Sequence, residues 1–262
     1  MRETLSLPDA GFKVIDAFIH LPLGGKVVPC PYHMNVRKER VGLRVLVGKG
    51  DPMEIIQEVK IWSKIKDFDL NKATISQIRE FMIDRSIGID CSGFIVHVLG
   101  YVISKFLKKK LAKILVYEKS DLLSILRRKL RPIENIGANT LTNLKNCDPI
   151  TDMNKMLPGD FIRSKGKLKN SHHILLITRV IKQDGFVIEV EYVHSSKNYE
   201  EENGVKFGRI QITDLSKPLE KQNWLEIKRG KNYTYEGYLN ELQDNGIRRL
   251  KRVTIPHIVT VD

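Results

Sequence analysis

Cys91 is the residue of this chain best placed to act as a nucleophile. It follows Asp90 and precedes Ser92, Gly93 and an apolar run with helical spacing, which predicts that a buried helix begins at Cys91. The dipole and unpaired N–H groups of a helix N-terminus lower the pKa of a thiol, and the N–H groups of Cys91 and Ser92 could bind an oxyanion. A small, inert core residue is the alternative role for a cysteine in an apolar helix.

Three histidines later in the chain offer the general base that a thiol nucleophile needs. His172 and His173 open one predicted strand, and His194 ends the strand that returns after the turn signal Asp184-Gly185. If that turn has two residues, His194 lies opposite Leu175 and His173 shares its face. A base and a polar group that orients it would then be neighbours.

A longer turn would exchange the two adjacent histidines. With a three-residue loop the pairing shifts by one residue, so His172 rather than His173 lies on the face of His194. This register also pairs Arg179 with Glu189, whose opposite charges attract each other. The residues alone therefore leave His172 and His173 as alternative bases.

The same residue types could instead bind a metal ion. Cys91, one histidine of the adjacent pair and His194 would make a zinc-ligand set. This set lacks the close pair of ligands, three or four residues apart, that many zinc hydrolases use. A zinc hydrolase is therefore the less favoured alternative, and we expect neither a metal nor another cofactor.

Four short segments resemble the motifs of one enzyme family. Residues 88–94 (GIDCSGF) are similar to a "DCSGF" nucleophile motif, and 157–162 (LPGDFI) to a "PGDLV" strand. Residues 171–177 (SHHILLI) resemble an "HVGIY" base strand, and 192–196 (YVHSS) an "FIHAS" strand that carries a third site residue. In this order the segments resemble the NlpC family of papain-like cysteine peptidases and its CHAP amidase relatives. The resemblance covers about residues 86–196.

The resemblance assigns roles to five residues. It implies that Cys91 is the nucleophile, His173 the base and His194 the group that orients the base. It also implies that Asp90 and Ser92 help to hold the substrate. These assignments predict a Cys-His-His triad on a papain-like, NlpC-type fold.

A sixth candidate is Tyr32. Pro31-Tyr32 is similar to the start of the family's "PYVWGG" segment, whose tyrosine lies near the thiol. In this chain the separation of Tyr32 from Cys91 is longer than usual, and the "WGG" is absent. Tyr32 is therefore carried forward as a candidate substrate-binding residue.

The activity implied by the resemblance is amide hydrolysis through a thioester. The family is best known for endopeptidases that cut cell-wall peptidoglycan peptides, commonly at γ-D-glutamyl bonds to a diamino acid. An offshoot that acts on another amide or ester is one alternative. A catalytically silent protein of the same fold, which binds nucleic acid or another polyanion, is a second.

Helical and strand patterns surround the candidate site. Helices are predicted from Asp51-Pro52 onward, over 76–84, from Cys91 to 107 and over 119–129. Strands are predicted at 41–47, 161–163, 173–181, 186–194, 204–213 and 253–261. Helices followed by an antiparallel sheet predict the α+β class. We expect a single domain over 1–262, in which 1–85 and 197–262 complete the core that carries the motifs.

Charge and apolar content bound the partners. The chain has 262 residues and a net charge of +13, with Lys/Arg tracts at 108–110, 127–129 and 248–252. Such tracts form either solvated helix faces or a surface for an anionic polymer of the cell wall or nucleic acid. The sequence predicts no membrane span and no signal peptide, so we expect a cytoplasmic protein, or one exported or phage-delivered by another route.

The other cysteines indicate no disulfide scaffold. Cys30 and Cys147 are widely spaced from each other and from Cys91, and the total of three is odd. We therefore expect both to be buried and inert.

Overall fold

The computed structural model describes residues 1–34, 43–118, 121–166, 172–199 and 202–261. Within these ranges the chain forms α-helices and mostly antiparallel strands, which confirms the α+β class. The helices are α1 (Asp9–Ile19), α2 (Pro52–Ile65), α3 (Ile75–Asp84), α4 (Cys91–Leu107), α5 (Leu111–Ile114), α6 (Leu122–Leu130), α7 (Ala138–Thr142) and α8 (Tyr233–Tyr238). The strands are β1 (Arg2–Ser6), β2 (Leu21–Leu23), β3 (Lys26–Val28), β4 (Cys147–Ile150), β5 (Phe161–Lys165), β6 (His172–Gln183), β7 (Phe186–Ser196), β8 (Gly204–Gln211), β9 (Asn223–Trp224), β10 (Gly246–Leu250) and β11 (Ile258–Val261).

One large antiparallel sheet organises the described residues. Its order is β4-β10-β5-β6-β7-β8-β9, with β1 paired to β6 and β11 paired to β1. Strands β2 and β3 form a separate hairpin. Of the helices in these ranges, none is long and apolar enough to cross a membrane.

Two hydrophobic clusters lie on the two faces of this sheet. Along β6, Ile174 and Leu176 belong to the cluster that includes the apolar residues of α4. Leu175 and Ile177 alternate with them and belong to the other cluster, with Trp224. Helix α4 therefore packs on one face of β6 and β7, and the second cluster covers the opposite face.

Side-chain caps fix where α2, α3 and α4 begin. Asp51 and Thr74 each accept a hydrogen bond from the third residue of α2 or α3, in capping boxes. Asp90 caps α4 by accepting from the Gly93 N–H, without the reciprocal side-chain bond, so that Cys91 is the first residue of the helix, as predicted.

Some predicted elements differ from the structure. Val45–Val47 forms a 3-10 turn instead of the end of a strand, and 41–42 lie outside the described residues. Helix α1 has no counterpart among the predicted helices. The predicted helix at 119–129 is observed as Leu122–Leu130, with 119–120 outside the described ranges, and only Ile258–Val261 of the predicted last strand pairs.

The β6–β7 hairpin has the predicted two-residue turn. Asp184 and Gly185 both adopt positive φ, as such a turn requires. Two bulges interrupt the ladder, yet Leu176 still lies opposite Val193, which is the register of a two-residue turn.

The ion pair suggested by the alternative register does not form. Between the bulges Arg179 lies opposite Glu191, and its Nη1 donates to Glu191 Oε1 at 2.6 Å. Glu189 is instead opposite Ile181. The bulges thus place Arg179 opposite an acidic residue, Glu191, although the hairpin keeps the register of a two-residue turn.

Candidate active site

Cys91 lies at the buried N-terminus of α4. Its side chain is almost fully covered, and the Asp90 carboxylate accepts a hydrogen bond of 2.6 Å from the Gly93 N–H. A Cβ at Gly93 would lie 2.4 Å from the carbonyl oxygen of Gly48. The third residue after Asp90 must therefore be glycine, because the 48–50 loop packs directly against the first turn of the helix.

A buried lysine holds this first turn in place. Lys49 Nζ donates to Asp90 Oδ1 at 3.0 Å, to Ser92 Oγ, and to the carbonyl oxygen of Ile136 at 3.0 Å. All three ammonium protons are thereby used. Asp90 and Ser92, the residues predicted to hold the substrate, both bond to Lys49 and so position the helix N-terminus. They also line a cavity with Cys91, and their contact with a substrate stays a prediction.

The sulfur of Cys91 rests against the backbone of β6. Sγ lies 3.9 Å from the carbonyl oxygen of His172, and the backbone N–H of Ile174 also hydrogen-bonds to it. These two groups flank His173 along the strand. Within the described residues, no hydrogen bond joins Sγ to an imidazole nitrogen.

The thiol reaches β6 because β7 has separated from it there. The described pairing of β6 with β7 ends at Leu176 and Val193. The segment before α4 occupies the gap, where Ser195 Oγ donates to the carbonyl oxygen of Ile89 at 2.8 Å. The separation of β7 from β6 thus allows the Cys91 sulfur to contact the backbone of β6, the strand that carries His172 and His173.

Burial keeps the resting thiol protonated. It raises the pKa of Cys91 to about 12, and the adjacent Asp90 carboxylate raises it further, whereas Lys49 and backbone N–H groups lower it. The sequence-based expectation of a lowered pKa is therefore wrong for this state, because desolvation outweighs the helix terminus. The thiol needs a base to become a nucleophile.

A chain of three side chains begins at His173, the residue whose flanking backbone groups contact Cys91 Sγ. His173 Nε2 is 2.7 Å from His194 Nδ1, and His194 Nε2 is 3.0 Å from Glu226 Oε1. The other oxygen of Glu226 accepts a hydrogen bond of 2.6 Å from the Tyr192 hydroxyl. His173 and His194 share a face, as predicted, and both lie on the side of the sheet opposite α4.

The protonation of this chain follows from Glu226. Burial alone would raise its pKa, but the charge of His194 and the hydrogen bonds from His194 and Tyr192 lower it to about 2, so it is a carboxylate. A carboxylate only accepts, so His194 Nε2 carries a proton, and in the tautomer in which His194 is neutral its Nδ1 accepts from His173 Nε2. The Nδ1 of His173 is then left with a lone pair.

His173 is consequently a neutral imidazole. Burial and the neighbouring His194 lower its pKa to about 3, although Glu226 opposes them. With its proton on Nε2, His173 can accept another through Nδ1. It has the protonation state of a general base at neutral pH.

His172 has a different environment on the other face of β6. It lines a cavity of about 450 Å³ together with Cys91 and Asn139. Its Nδ1 lies 3.5 Å from Arg163 Nη2, and burial followed by this guanidinium lowers its pKa. Because a guanidinium only donates, Nδ1 is the acceptor and Nε2 carries the proton of the neutral ring.

Tyr32 lies next to the thiol despite its distance in sequence. It forms a parallel bridge with Ile89, and burial followed by the charges of Cys91 and Asp90 raises the pKa of its phenol. Tyr32 lines a second cavity, of about 190 Å³, with His173. Two cavities therefore flank the backbone against which the sulfur rests.

Sequence reasoning missed two residues of this site. Glu226 follows the aromatic strand β9 without any motif, and Lys49 stands in a Gly-Lys-Gly loop that resembles an ordinary exposed turn. Each is buried by segments far away along the chain. A charged residue between apolar neighbours, as at Leu225-Glu226-Ile227, was the only local signal.

The remaining cysteines and the metal alternative gain no support as functional sites. Cys30 and Cys147 are buried and free, and burial raises the pKa of each to about 12. In the part of the chain that is described, no group of three or more His, Cys, Asp or Glu side chains is arranged to hold a metal ion.

The basic tracts differ in their exposure. The 108–110 tract is exposed after α4, and 127–129 ends α6. In the third tract, Arg249 instead donates to both oxygens of the buried Asp160 at 2.7 Å. This arginine therefore neutralises a buried carboxylate and is not part of an exposed basic surface.

The chain was compared with known protein families, curated proteins and solved structures, and it matches none of them.

Proposed function

We propose that the protein is a cysteine hydrolase with a papain-like, NlpC-type fold, which cleaves an amide bond through a thioester on Cys91. The observation that carries the proposal is the position of Sγ against the backbone on both sides of His173. The ring of that histidine heads a hydrogen-bonded chain that ends in a buried carboxylate. A thiol, a neutral base and an orienting group are what nucleophilic acyl transfer requires.

The first step forms the thioester. In this step the ring of His173 reaches Sγ past the edge of β6 that β7 leaves open. Its Nδ1 takes the thiol proton while Sγ bonds to the substrate carbonyl carbon, and the oxyanion is held by backbone N–H groups at the start of α4. The imidazolium is stabilised by His194 and the charge of Glu226. It then returns the proton to the leaving amine as the carbon–nitrogen bond breaks.

The second step restores the enzyme. His173 removes a proton from water, whose oxygen attacks the thioester carbon, and the proton passes to the departing sulfur. His172 lies across the strand with its proton on Nε2. In this scheme it donates a hydrogen bond to the substrate in the cavity that it shares with Cys91.

The substrate class we favour is a peptidoglycan-type peptide. The resemblance of the four segments points to it, and the net charge of +13 suits an anionic polymer. The cavity of about 450 Å³ beside Cys91 has room for a short peptide, and Asn135 and Asn139 line it with amide groups that can pair with a peptide backbone.

The direct test is turnover of defined muropeptides. Wild-type protein should cleave a γ-D-glutamyl–diamino acid bond and, in rapid-quench samples, carry an acyl mass on the peptide that contains Cys91. Cys91→Ala should abolish both signals, whereas Cys147→Ala should retain them. Cleavage that survives in Cys91→Ala would rule out the proposal. If no amide or ester substrate is cleaved and DNA binding falls steeply with salt, the polyanion-binding alternative replaces it.

A further inference from the structure

A large cavity lies away from the thiol, between α4, α5 and α6. Its volume is about 830 Å³, within the range of pockets that hold small-molecule ligands. The residues that line it are mainly apolar, among them Val96, Leu111, Ile125, Ile133 and Ile136. A Cβ placed at Gly100, on α4, would meet nothing within 4 Å, so the floor of the cavity is open.

The basic residues of the cavity lie at its edge. Lys110, Lys113, Arg128 and Lys129 all line it, and the guanidinium of Arg128 lies 4.7 Å from the centre of the Tyr117 ring. Asp51 is the one acidic group among the described lining residues. Arg44 Nη2 lies 3.8 Å from its Oδ2, and the four basic side chains outnumber it, which leaves a positive field for an incoming head group.

Helix α6 presents apolar side chains that its own packing does not cover. None of its residues is buried, and Leu122 and Leu126 are 81% and 51% exposed. Leu122 lies one turn before the lining residue Ile125, on the same side of the helix. These leucines extend the apolar lining from the cavity to the surface, along the helix that also carries Arg128 and Lys129.

We propose that this cavity binds one anionic amphiphile of the long-chain fatty acid type. The hydrocarbon chain lies along the floor at Gly100 and the isoleucines, and the carboxylate meets the basic edge. A ligand with a neutral or cationic head group would lose the attraction to the basic edge, and a wholly polar ligand would lose the burial of the hydrocarbon chain. Ile136 also lines the cavity beside Cys91, but the proposed ligand contacts neither the thiol nor the histidines, so this inference does not depend on the hydrolase activity.

Displacement of a fluorescent fatty acid by oleate, below the concentration at which oleate aggregates, tests the proposal with the full chain. We expect saturable binding of one oleate per protein. Gly100→Trp fills the floor and should weaken binding by about tenfold or more. Lys113→Glu and Lys129→Glu should each weaken oleate about fivefold but leave oleyl alcohol unchanged, whereas Lys60→Glu on the exposed face of α2 should change neither.

Two controls make every outcome informative. Circular dichroism melting and the alkylation rate of Cys91 report whether Gly100→Trp folds, and the lysine variants test the site without altering the cavity. Absent oleate binding, or binding that neither the tryptophan nor the lysine changes affect, overturns the proposal. Binding only to vesicles that contain anionic phospholipid also overturns it, because α6 would then be a membrane-docking surface without a ligand cavity.

Discussion

His173 Nε2 lies 2.7 Å from His194 Nδ1, across a hairpin whose two bulges offset each other. A single uncompensated bulge would move one of the two rings to the other face of the sheet. The register of this hairpin therefore decides whether His173 has an orienting partner. In the structure His194 is that partner, and Glu226, which follows β9, completes the hydrogen-bonded chain.

Glu226→Gln tests whether the buried carboxylate sets the protonation of both histidines. The amide would still fill the space, but it removes the charge and presents N–H groups to the donors His194 and Tyr192. We expect muropeptide turnover, or the alkylation rate of Cys91, to fall about 10- to 100-fold. Unfolding in urea should show a loss of about 1–3 kcal/mol.

Glu236→Gln, on the exposed side of α8, is the matched control for Glu226→Gln and should leave both quantities unchanged. Equal effects of the two substitutions would mean that Glu226 has no special role. A loss of stability without a loss of thiol reactivity would make it a structural group only.

Acidification should destabilise the protein through the same chain. The pKa of His173 is lowered from 6.5 to about 3, so its contribution to stability is complete above pH 6.5 and is lost as the pH falls toward 3. The pKa of Glu226, lowered from 4.5 to about 2, adds a second loss below pH 4.5. One proton changes the unfolding free energy by about 1.4 kcal/mol per pH unit.

Urea unfolding between pH 7 and pH 5 isolates the contribution of His173 when wild type is compared with His173→Gln, because burial lowers the pKa of His33, His97 and His172 as well. The unfolding free energy of the wild type should fall across this interval. In His173→Gln, which keeps a donor for His194, its slope against pH should be smaller, by an amount equivalent to at most one proton taken up on unfolding. A wild-type stability that is flat over this range, or the same slope in His173→Gln, would contradict the assignment of a neutral, buried base.

Lys49→Met should destabilise the helix that carries Cys91. The methionine matches the apolar stem of lysine but leaves the buried Asp90 carboxylate without its cation, which costs about 3–5 kcal/mol. In the double variant with Asp90→Asn, which can still cap α4, much of this loss should be recovered. Urea unfolding of the two single variants and the double variant gives the interaction free energy between Lys49 and Asp90. Losses that simply add would argue against a direct ion pair between them.

Two glycines of α4 should respond oppositely to alanine. At Gly93 the new methyl group would collide with the carbonyl oxygen of Gly48, so we expect a loss of about 1–3 kcal/mol. At Gly100 it meets nothing and raises helix propensity, so we expect a gain of about 0.5–1 kcal/mol. Thermal unfolding separates the two, and a neutral Gly93→Ala would mean that the 48–50 loop is not packed as described.

The elements with local signals were predictable from sequence. Caps and apolar spacing located the starts of α2 and α4, and the turn signal at Asp184-Gly185 gave the register that pairs His173 with His194. Helix α1 was missed because its cap position is Pro8, whose side chain makes no capping hydrogen bond. The 41–47 strand failed because its β-branched residues next to Gly48 pack as a tight turn on α2 instead of pairing.

The site was predictable only where one short segment carries the chemistry. Cys91 and the histidines can be recognised from the residues next to them in sequence. Lys49 and Glu226 cannot, because their roles depend on contacts with residues far along the chain. The pKa of Cys91 was predicted in the wrong direction, since the amount of burial depends on how β7 splays from β6. No local pattern reports that separation.

The rate of Cys91 alkylation by iodoacetamide against pH tests the central claim most directly. Mass analysis of peptides separates Cys91 from the buried Cys30 and Cys147. With neutral His173 as base, the wild-type rate should stay nearly constant from pH 5 to pH 8, and His172→Ala should keep that profile. His173→Ala should be slower at pH 6 and rise about tenfold per pH unit, as a thiol without a base does. A profile that is unchanged in His173→Ala, or lost only in His172→Ala, would contradict the account.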